Sequence, residues 1–112
     1  MKKIEAIIRE ESLNELKDCL EKNGFFGMTV YKVKGRGIQK GINLEWRAGS
    51  YRVDLLPKIM VMLVVNDQDV DKVIDLIIEC CSSGTAGDGK IFISTIEEVV
   101  RISTKEKGIK AI

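Results

Sequence analysis

GRGIQKGINLEWRAGSYRVDLLPK, residues 35–58, is the stretch on which the reading of the fold turns. It carries Gly35, Gly37, Gly41 and Gly49, the aromatics Trp46 and Tyr51, and five basic residues (Arg36, Lys40, Arg47, Arg52, Lys58) against two acids. It has no hydrophobic periodicity of its own, so it reads as a connection. A connection of about 20 residues is far above the usual two to six, and in compact domains such loops are functional or disordered. An idle hairpin tip and a loop that meets a ligand or partner both fit these residues. The fold follows from what the stretch separates.

On its N-terminal side Met28–Lys34 alternates, with Thr29, Tyr31 and Val33 on one side and Met28 and Val30 on the other, as in a strand. On its C-terminal side Pro57 is expected to stop local structure, and Ile59–Val65, IMVMLVV, begins a strand with no polar face. Ile59, Val61, Leu63 and Val65 are expected to face helices, which leaves Met60, Met62 and Val64 in need of a second cover. A two-layer domain covers one face of its sheet, so another subunit is the expected cover. At roughly 25 cal/mol per Å², leaving these three side chains in water loses a few kcal/mol per chain.

Helices flank this centre. Ser12-Leu-Asn-Glu15 reads as a capping box, and Leu13, Leu16 and Leu20 recur at helical spacing until Asn23-Gly24. Asn66–Asp69 places acids at a second helix start, and Val70, Val73, Ile74, Ile77 and Cys81 follow on one face, with Gly84 as the expected stop. Outermost are Lys2–Arg9, where Ile4, Ala6 and Ile8 alternate against Lys3, Glu5 and Arg9, and a fourth strand at Ile91–Ile96. The order is βαβ, long loop, βαβ. It predicts an α+β, ferredoxin-like βαββαβ sandwich whose two helices share one face of a four-stranded sheet.

The chain of 112 residues, 45% hydrophobic and 31% charged, reads as one globular domain. A net charge of +1 gives no field of one sign that would favour nucleic acid or a membrane surface. No apolar run is long enough to span a bilayer, and Glu5 interrupts the start too early for a signal peptide. The odd count of three cysteines, Cys19, Cys80 and Cys81, is no disulfide framework and fits a reducing cytoplasm. Histidine is absent, which excludes His-dependent acid–base catalysis. Cys80 and Cys81 read as a small helix-end pair.

Ser82–Lys90, SSGTAGDGK, is the second glycine-rich stretch. Gly84, Gly87 and Gly89 let backbone amides converge on an anion, and Lys90 adds charge. The string nearly matches the Walker phosphate loop, but Ile91 stands where Ser or Thr is needed and the segment leads into a strand. A helix-stopping turn and a phosphate cradle of another design both remain.

From Met1 to about Lys105 the chain resembles the PII signal-transduction family of trimeric nitrogen-status sensors. The resemblance is carried by MKKIEAII at the start, Gly27-Met-Thr-Val30, Val33-Lys-Gly-Arg-Gly-Ile-Gln-Lys-Gly41, Arg47, Tyr51, Val53-Asp-Leu-Leu-Pro-Lys58, Gly87-Asp-Gly-Lys-Ile-Phe92 and Val100-Arg-Ile102. It implies a single PII-like domain over 1–112, with a T-loop at 35–58, a phosphate loop at 82–90 and a C-terminal segment at 101–112. It also implies a non-enzymatic cytoplasmic regulator that binds ATP or ADP in clefts between the subunits of a homotrimer. Thr29, Gly37, Ile38 and Val64 would surround the nucleotide, Gly87, Asp88, Gly89 and Lys90 would hold its phosphates, and Arg101, Ile102 and Ser103 would reach across from a neighbouring chain. Mg-ATP would create a 2-oxoglutarate site, with Gln39 on the metal, Lys58 pairing a carboxylate, and the backbone of Gly37, Gln39, Lys40, Gly41 and Gly87 around the ligand. The T-loop would dock an ammonium channel or a nitrogen-assimilation enzyme through Trp46, Arg47 and Tyr51, and Tyr51 matches a tyrosine that some members have nucleotidylylated.

Three departures stand against that pattern. Ile38 and Ser103 replace usual arginines, and Thr85 replaces a frequent basic residue. A charged hydrogen bond to phosphate is worth roughly 1.5–3 kcal/mol, so two lost arginines cost about 3–6 kcal/mol if nothing substitutes. Arg36, two residues before Ile38 and on the same side of a continuing strand, is the expected substitute. Nucleotide binding is therefore expected to persist with altered discrimination among ATP, ADP and AMP. Two other classes remain to be weighed: an acylphosphatase-type ferredoxin-like enzyme, disfavoured by the missing nucleophile and histidine, and a PII-like trimer with another nucleotide effector and no response to 2-oxoglutarate.

Overall fold

The computed structural model describes residues 1–37, 42–46, 49–53, 55–85 and 87–112, the segments 42–46 and 49–53 by their backbone. Its centre is a pair of antiparallel strands, β1 (Lys2–Ile8) and β5 (Leu56–Val65), in register from Lys2 opposite Val65 to Ile8 opposite Ile59. β2 (Thr29–Gly35) pairs with the outer side of β5, and β6 (Gly89–Thr95) with the outer side of β1. The sheet order is thus β2-β5-β1-β6, all antiparallel, and the central strands come from different halves of the chain. With α1 (Leu13–Lys22) and α2 (Val70–Cys81), this is the expected ferredoxin-like arrangement.

The helices lie on one face because alternation leaves no other choice. Ile4, Ala6 and Ile8 of β1 and Ile59, Val61, Leu63 and Val65 of β5 are buried, and they form one cluster with Leu16 and Leu20 of α1 and Val73, Ile77 and Cys81 of α2. Each such Leu, Ile or Val contributes roughly 1.5–3 kcal/mol on burial. Met60, Met62 and Val64 take the opposite, open face and are half-buried. In that register Tyr31 lies opposite Met60 and Met60 opposite Ile7, while Phe92 lies opposite Glu5. Tyr31 and Phe92 are 42% and 50% exposed, so the open face presents aromatic and aliphatic surface.

Several local expectations are corrected. Pro57 does not stop local structure, because β5 begins at Leu56 and Pro57 pairs opposite Lys34. The β1 ladder ends at Ile59, so Pro57 sits where β5 has a strand on one side alone, the setting that tolerates a residue without an N–H. Ser12 makes no side-chain cap. The helical turn starts earlier, at Glu10–Ser12, and Ser12 itself is helical at φ −86°, ψ −11°, so its hydroxyl is not presented to the first free amides. Asp69 likewise makes no side-chain cap, and a short Asp67–Asp69 turn leads into α2. Gly84 is not the stop either, since α2 ends at Cys81 with Ser82 already extended. Within 35–58 the backbone forms a second, two-stranded sheet, β3 (Ile42–Trp46) with β4 (Gly49–Val53), Leu44 opposite Tyr51. Ile42, Leu44 and Trp46 alternate with Asn43 and Glu45, a strand pattern that the reading of 35–58 as a connection without periodicity passed over.

One contact fixes how β6 enters the sheet. Gly89 has φ +116°, and a Cβ there would lie 1.6 Å from the Ile7 carbonyl oxygen. Gly89→Ala is therefore expected to break the Ile8–Gly89 pairing and to lower stability by roughly 2–4 kcal/mol in urea titration. Gly27→Ala, where an added methyl meets nothing within 4 Å, serves as the control and should stay within about 0.5 kcal/mol.

Candidate functional site

The C-terminal end of β1 and the N-terminal end of β6 meet at the Ile8–Gly89 pair, and the loop that follows α2 is gathered there. Its organiser is Asp88. That carboxylate accepts from the Ser83 hydroxyl at 2.6 Å, the Ser83 amide at 2.7 Å and the Gly84 amide at 3.1 Å. Arg9, one residue past β1, donates from Nε to Asp88 at 3.3 Å and from Nη2 to the Thr85 hydroxyl at 3.4 Å. The Thr85 and Ser83 hydroxyls are 2.7 Å apart. Gly84 and Gly87 have φ of +78° and +95°, backbone that side-chain-bearing residues rarely adopt, which is how the chain turns this tightly. The Ser83 hydroxyl first, then its amide, hold the Asp88 carboxyl down at about 2, against the repelling effect of partial burial.

A cleft of about 440 Å³ opens beside this loop. Gly35, Arg36, Gly37 and Lys58 line one side, Thr85 and Gly87–Lys90 the other, and Ile7 and Phe92 of the open sheet face contribute apolar surface. Lys58 crosses between the sides, its ammonium donating to the Gly87 carbonyl at 2.7 Å. Arg36, Lys58 and Lys90 thus converge on a space where, among the described residues, the one lining carboxylate is Asp88, which already accepts from Ser83, Gly84 and Arg9. Such a site favours an anion, with the ring of Phe92 and the side chain of Ile7 available to an apolar or aromatic portion.

The expected site residues do not all fall in one place. Gly37, Lys58, Gly87, Asp88, Gly89 and Lys90 come together on the cleft. Thr29 and Val64 lie on the open sheet face, opposite Met62 and Lys3, and do not line it. Arg101, Ile102 and Ser103 lie in the exposed C-terminal turn, which the Val100–Lys107 bridge closes, and they too are off the cleft. Ile102 is 95% exposed, and the Arg101 guanidinium donates to the Ile112 carbonyl at 3.2 Å. Ile38, Gln39, Lys40, Gly41 and Arg47 lie outside the described residues, whereas Trp46 and Tyr51 are placed by backbone on β3 and β4. The strand argument for Arg36 is corrected: β2 ends at Gly35, so Arg36 reaches the cleft from the connection and not by strand alternation.

Arg9 is the residue that sequence reasoning missed. It looks like the polar end of an alternating strand, and nothing local says that its partner lies 79 positions away. The Gly84 amide was also expected to be open to an anion, whereas Asp88 accepts from it.

Comparison with known proteins identifies the company this chain keeps. The family described as "Nitrogen regulatory protein P-II" matches residues 1–106. "Nitrogen regulatory protein P-II 2" of Methanothermobacter thermautotrophicus is 54% identical over 112 residues, 100% of this chain and 97% of that protein. "Nitrogen regulatory protein P-II" of Nostoc punctiforme is 49% identical, and that of Bradyrhizobium diazoefficiens 47%, each over 100% of both chains.

The Asp88 network has a pH signature. A carboxyl whose pKa is depressed on folding adds stability above its unfolded value, near 3.8, and that contribution is lost as pH falls through the folded value of about 2. The Ser83 and Gly84 amide resonances should hold steady down to pH near 4 and move with a midpoint close to 2. Asp88→Ala should remove the transition, and a wild-type midpoint at the ordinary carboxylate value would contradict the observed geometry.

Proposed function

The chain belongs to the nitrogen regulatory protein P-II family, and we propose that within it the protein works as a non-catalytic sensor: it binds ATP or ADP and 2-oxoglutarate, and passes their state to a partner protein through residues 35–58. The observation that carries this reading is the convergence of Arg36, Lys58 and Lys90 with the Gly87–Gly89 backbone on one cleft. Its volume of about 440 Å³ suits a small organic anion. Lys90 and the Gly87–Gly89 segment would face nucleotide phosphates. Lys58 would exchange its bond to the Gly87 carbonyl for one to a 2-oxoglutarate carboxylate, so ligand arrival would free the loop it now clamps. Gln39 would hold magnesium with ATP, and the backbone of Gly37 and residues 39–41 would close around the second ligand. One segment would then answer to both ligand and partner, which is the linkage a switch requires.

The reading calls for a trimer. The open sheet face, with Tyr31, Met60, Met62, Ile7 and Phe92, supports assembly because that apolar surface gains by leaving water. Thr29, Val64 and Arg101–Ser103 would complete the nucleotide site across the subunit boundary. Trp46, Arg47 and Tyr51 would meet the partner, an ammonium channel or a nitrogen-assimilation enzyme, with Tyr51 open to modification.

A second reading, a trimer that answers to another nucleotide and ignores 2-oxoglutarate, is favoured by one observation. Thr85, at the position of a frequent phosphate-binding cation, is engaged with Arg9 and Ser83 inside the loop.

Calorimetric titration with ATP, ADP and AMP, with and without Mg and 2-oxoglutarate, separates the two. The first reading expects 2-oxoglutarate to bind when Mg-ATP is present, and Lys58→Ala to lose that binding while keeping ATP. Lys90→Ala should weaken every nucleotide by roughly ten- to a hundredfold. Because arginines are lacking at Ile38 and Ser103, the preference for ATP over ADP should be shallow; tight, strongly ATP-selective binding contradicts that part. Nucleotide binding with no 2-oxoglutarate effect in the wild type selects the second reading, and absence of any nucleotide binding removes both.

A further inference from the structure

Each oxygen of the Asp88 carboxylate takes two donors. Oδ1 accepts from the Ser83 hydroxyl at 2.6 Å and from Arg9 Nε at 3.3 Å. Oδ2 accepts from the Ser83 amide at 2.7 Å and from the Gly84 amide at 3.1 Å. The Thr85 hydroxyl stands beside them, 2.7 Å from that of Ser83 and 3.4 Å from Arg9 Nη2. Two successive backbone amides, a hydroxyl and a guanidinium aimed at one place are a cradle for an oxyanion. The anion that fills it is the chain's own. The cradle lies at the surface, and a Cβ added at Gly84 would meet nothing within 4 Å. Asp88 lines the cleft of about 440 Å³ and also a second cavity of about 450 Å³ that runs toward Ile78 and Ile93, so open space adjoins it. Ser83, Gly84 and Arg9 are not among the residues that line the cleft.

We propose that Asp88 is a specificity-determining residue: its carboxylate is a built-in substitute for phosphate that fills a second oxyanion cradle, made by Ser83, Gly84 and Arg9, and thereby confines an incoming anion to the Lys90 side of the loop. A free phosphate offers the same donors the same kind of acceptor. It competes, however, with a carboxylate tethered a few residues away, whose effective concentration no free ion matches. If it entered, the displaced carboxylate would remain beside it as a like charge. The cradle is therefore closed to free anions in the wild type. Deleting the carboxylate opens it, because the Ser83 hydroxyl and the Ser83 and Gly84 amides are then left to solvent with the Arg9 charge beside them. The inference concerns these donors alone, so inorganic phosphate tests it whether or not a nucleotide is the ligand of the cleft.

The test titrates the full chain with inorganic phosphate at neutral pH, the ionic strength held with sodium chloride, and follows the backbone amide resonances. In Asp88→Ala the Ser83 and Gly84 amides should move saturably, whereas in the wild type they should hold still. Adding Lys90→Ala to Asp88→Ala should leave that response in place, and adding Arg9→Met should weaken it by roughly tenfold or more. Slow hydrogen exchange across the Ile8–Gly89 pair shows that the frame of the loop is intact in each variant. No saturable shift in Asp88→Ala, a shift abolished by Lys90→Ala, or an equal shift in the wild type overturns the proposal. So does a loop that loses its order in Asp88→Ala and that phosphate does not restore, because Asp88 would then hold the turn together without standing in for a ligand.

Discussion

The antiparallel ladder between β1 and β5 is the interaction on which the molecule depends. It joins the first strand of one half-chain to the first strand of the other, and it sets every facing pair from Lys2–Val65 to Ile8–Ile59. A slip of one residue would turn Ile4, Ala6 and Ile8 outward and put Lys3 and Glu5 beneath the helices. With that register fixed, β2 and β6 can add at the outer sides of the pair, and α1 and α2 must cover the face that carries the isoleucines.

The same ladder positions the cleft. It ends at Ile8 and Ile59, and the polar residues just beyond that end, Arg9 after β1 and Lys58 before Ile59, emerge at one end of the sheet. Each binds the glycine-rich loop, Arg9 through Asp88 and Lys58 through the Gly87 carbonyl. The loop is therefore tied to both central strands, and Gly89 lets its backbone approach Ile7 more closely than any side chain would allow. Asp88 is acidic in a site suited to anions, which looks contradictory until its partners are counted. Ser83, Gly84 and Arg9 absorb its charge, and Lys90 and Arg36 still line the space.

Strands and helices were legible because each depends on short-range periodicity. The alternation at Ile4, Ala6 and Ile8 and the three- and four-residue spacing at Leu13, Leu16 and Leu20 survive unchanged in the structure. The capping box at Ser12 did not survive. A cap depends on the dihedral angles of a single residue, and an extra turn at Glu10–Ser12 moved Ser12 into the helix. Pro57 was misread for a related reason, since its tolerance depends on how far a neighbouring strand extends. In the site, Gly87–Lys90 and Lys58 stood out by composition and motif, whereas Arg9 did not.

The sequence alone determined the order of the two helices and the four strands of the main sheet, the face each central strand turns to the core, and the glycine-rich segment suited to an anion. These follow from side-chain chemistry repeated at fixed local intervals. Tertiary structure alone decided that Asp88 binds its own loop and that Arg9 and Lys58 share that loop. The Arg9–Asp88 and Lys58–Gly87 contacts join residues 79 and 29 positions apart, and only the packed sheet sets those distances.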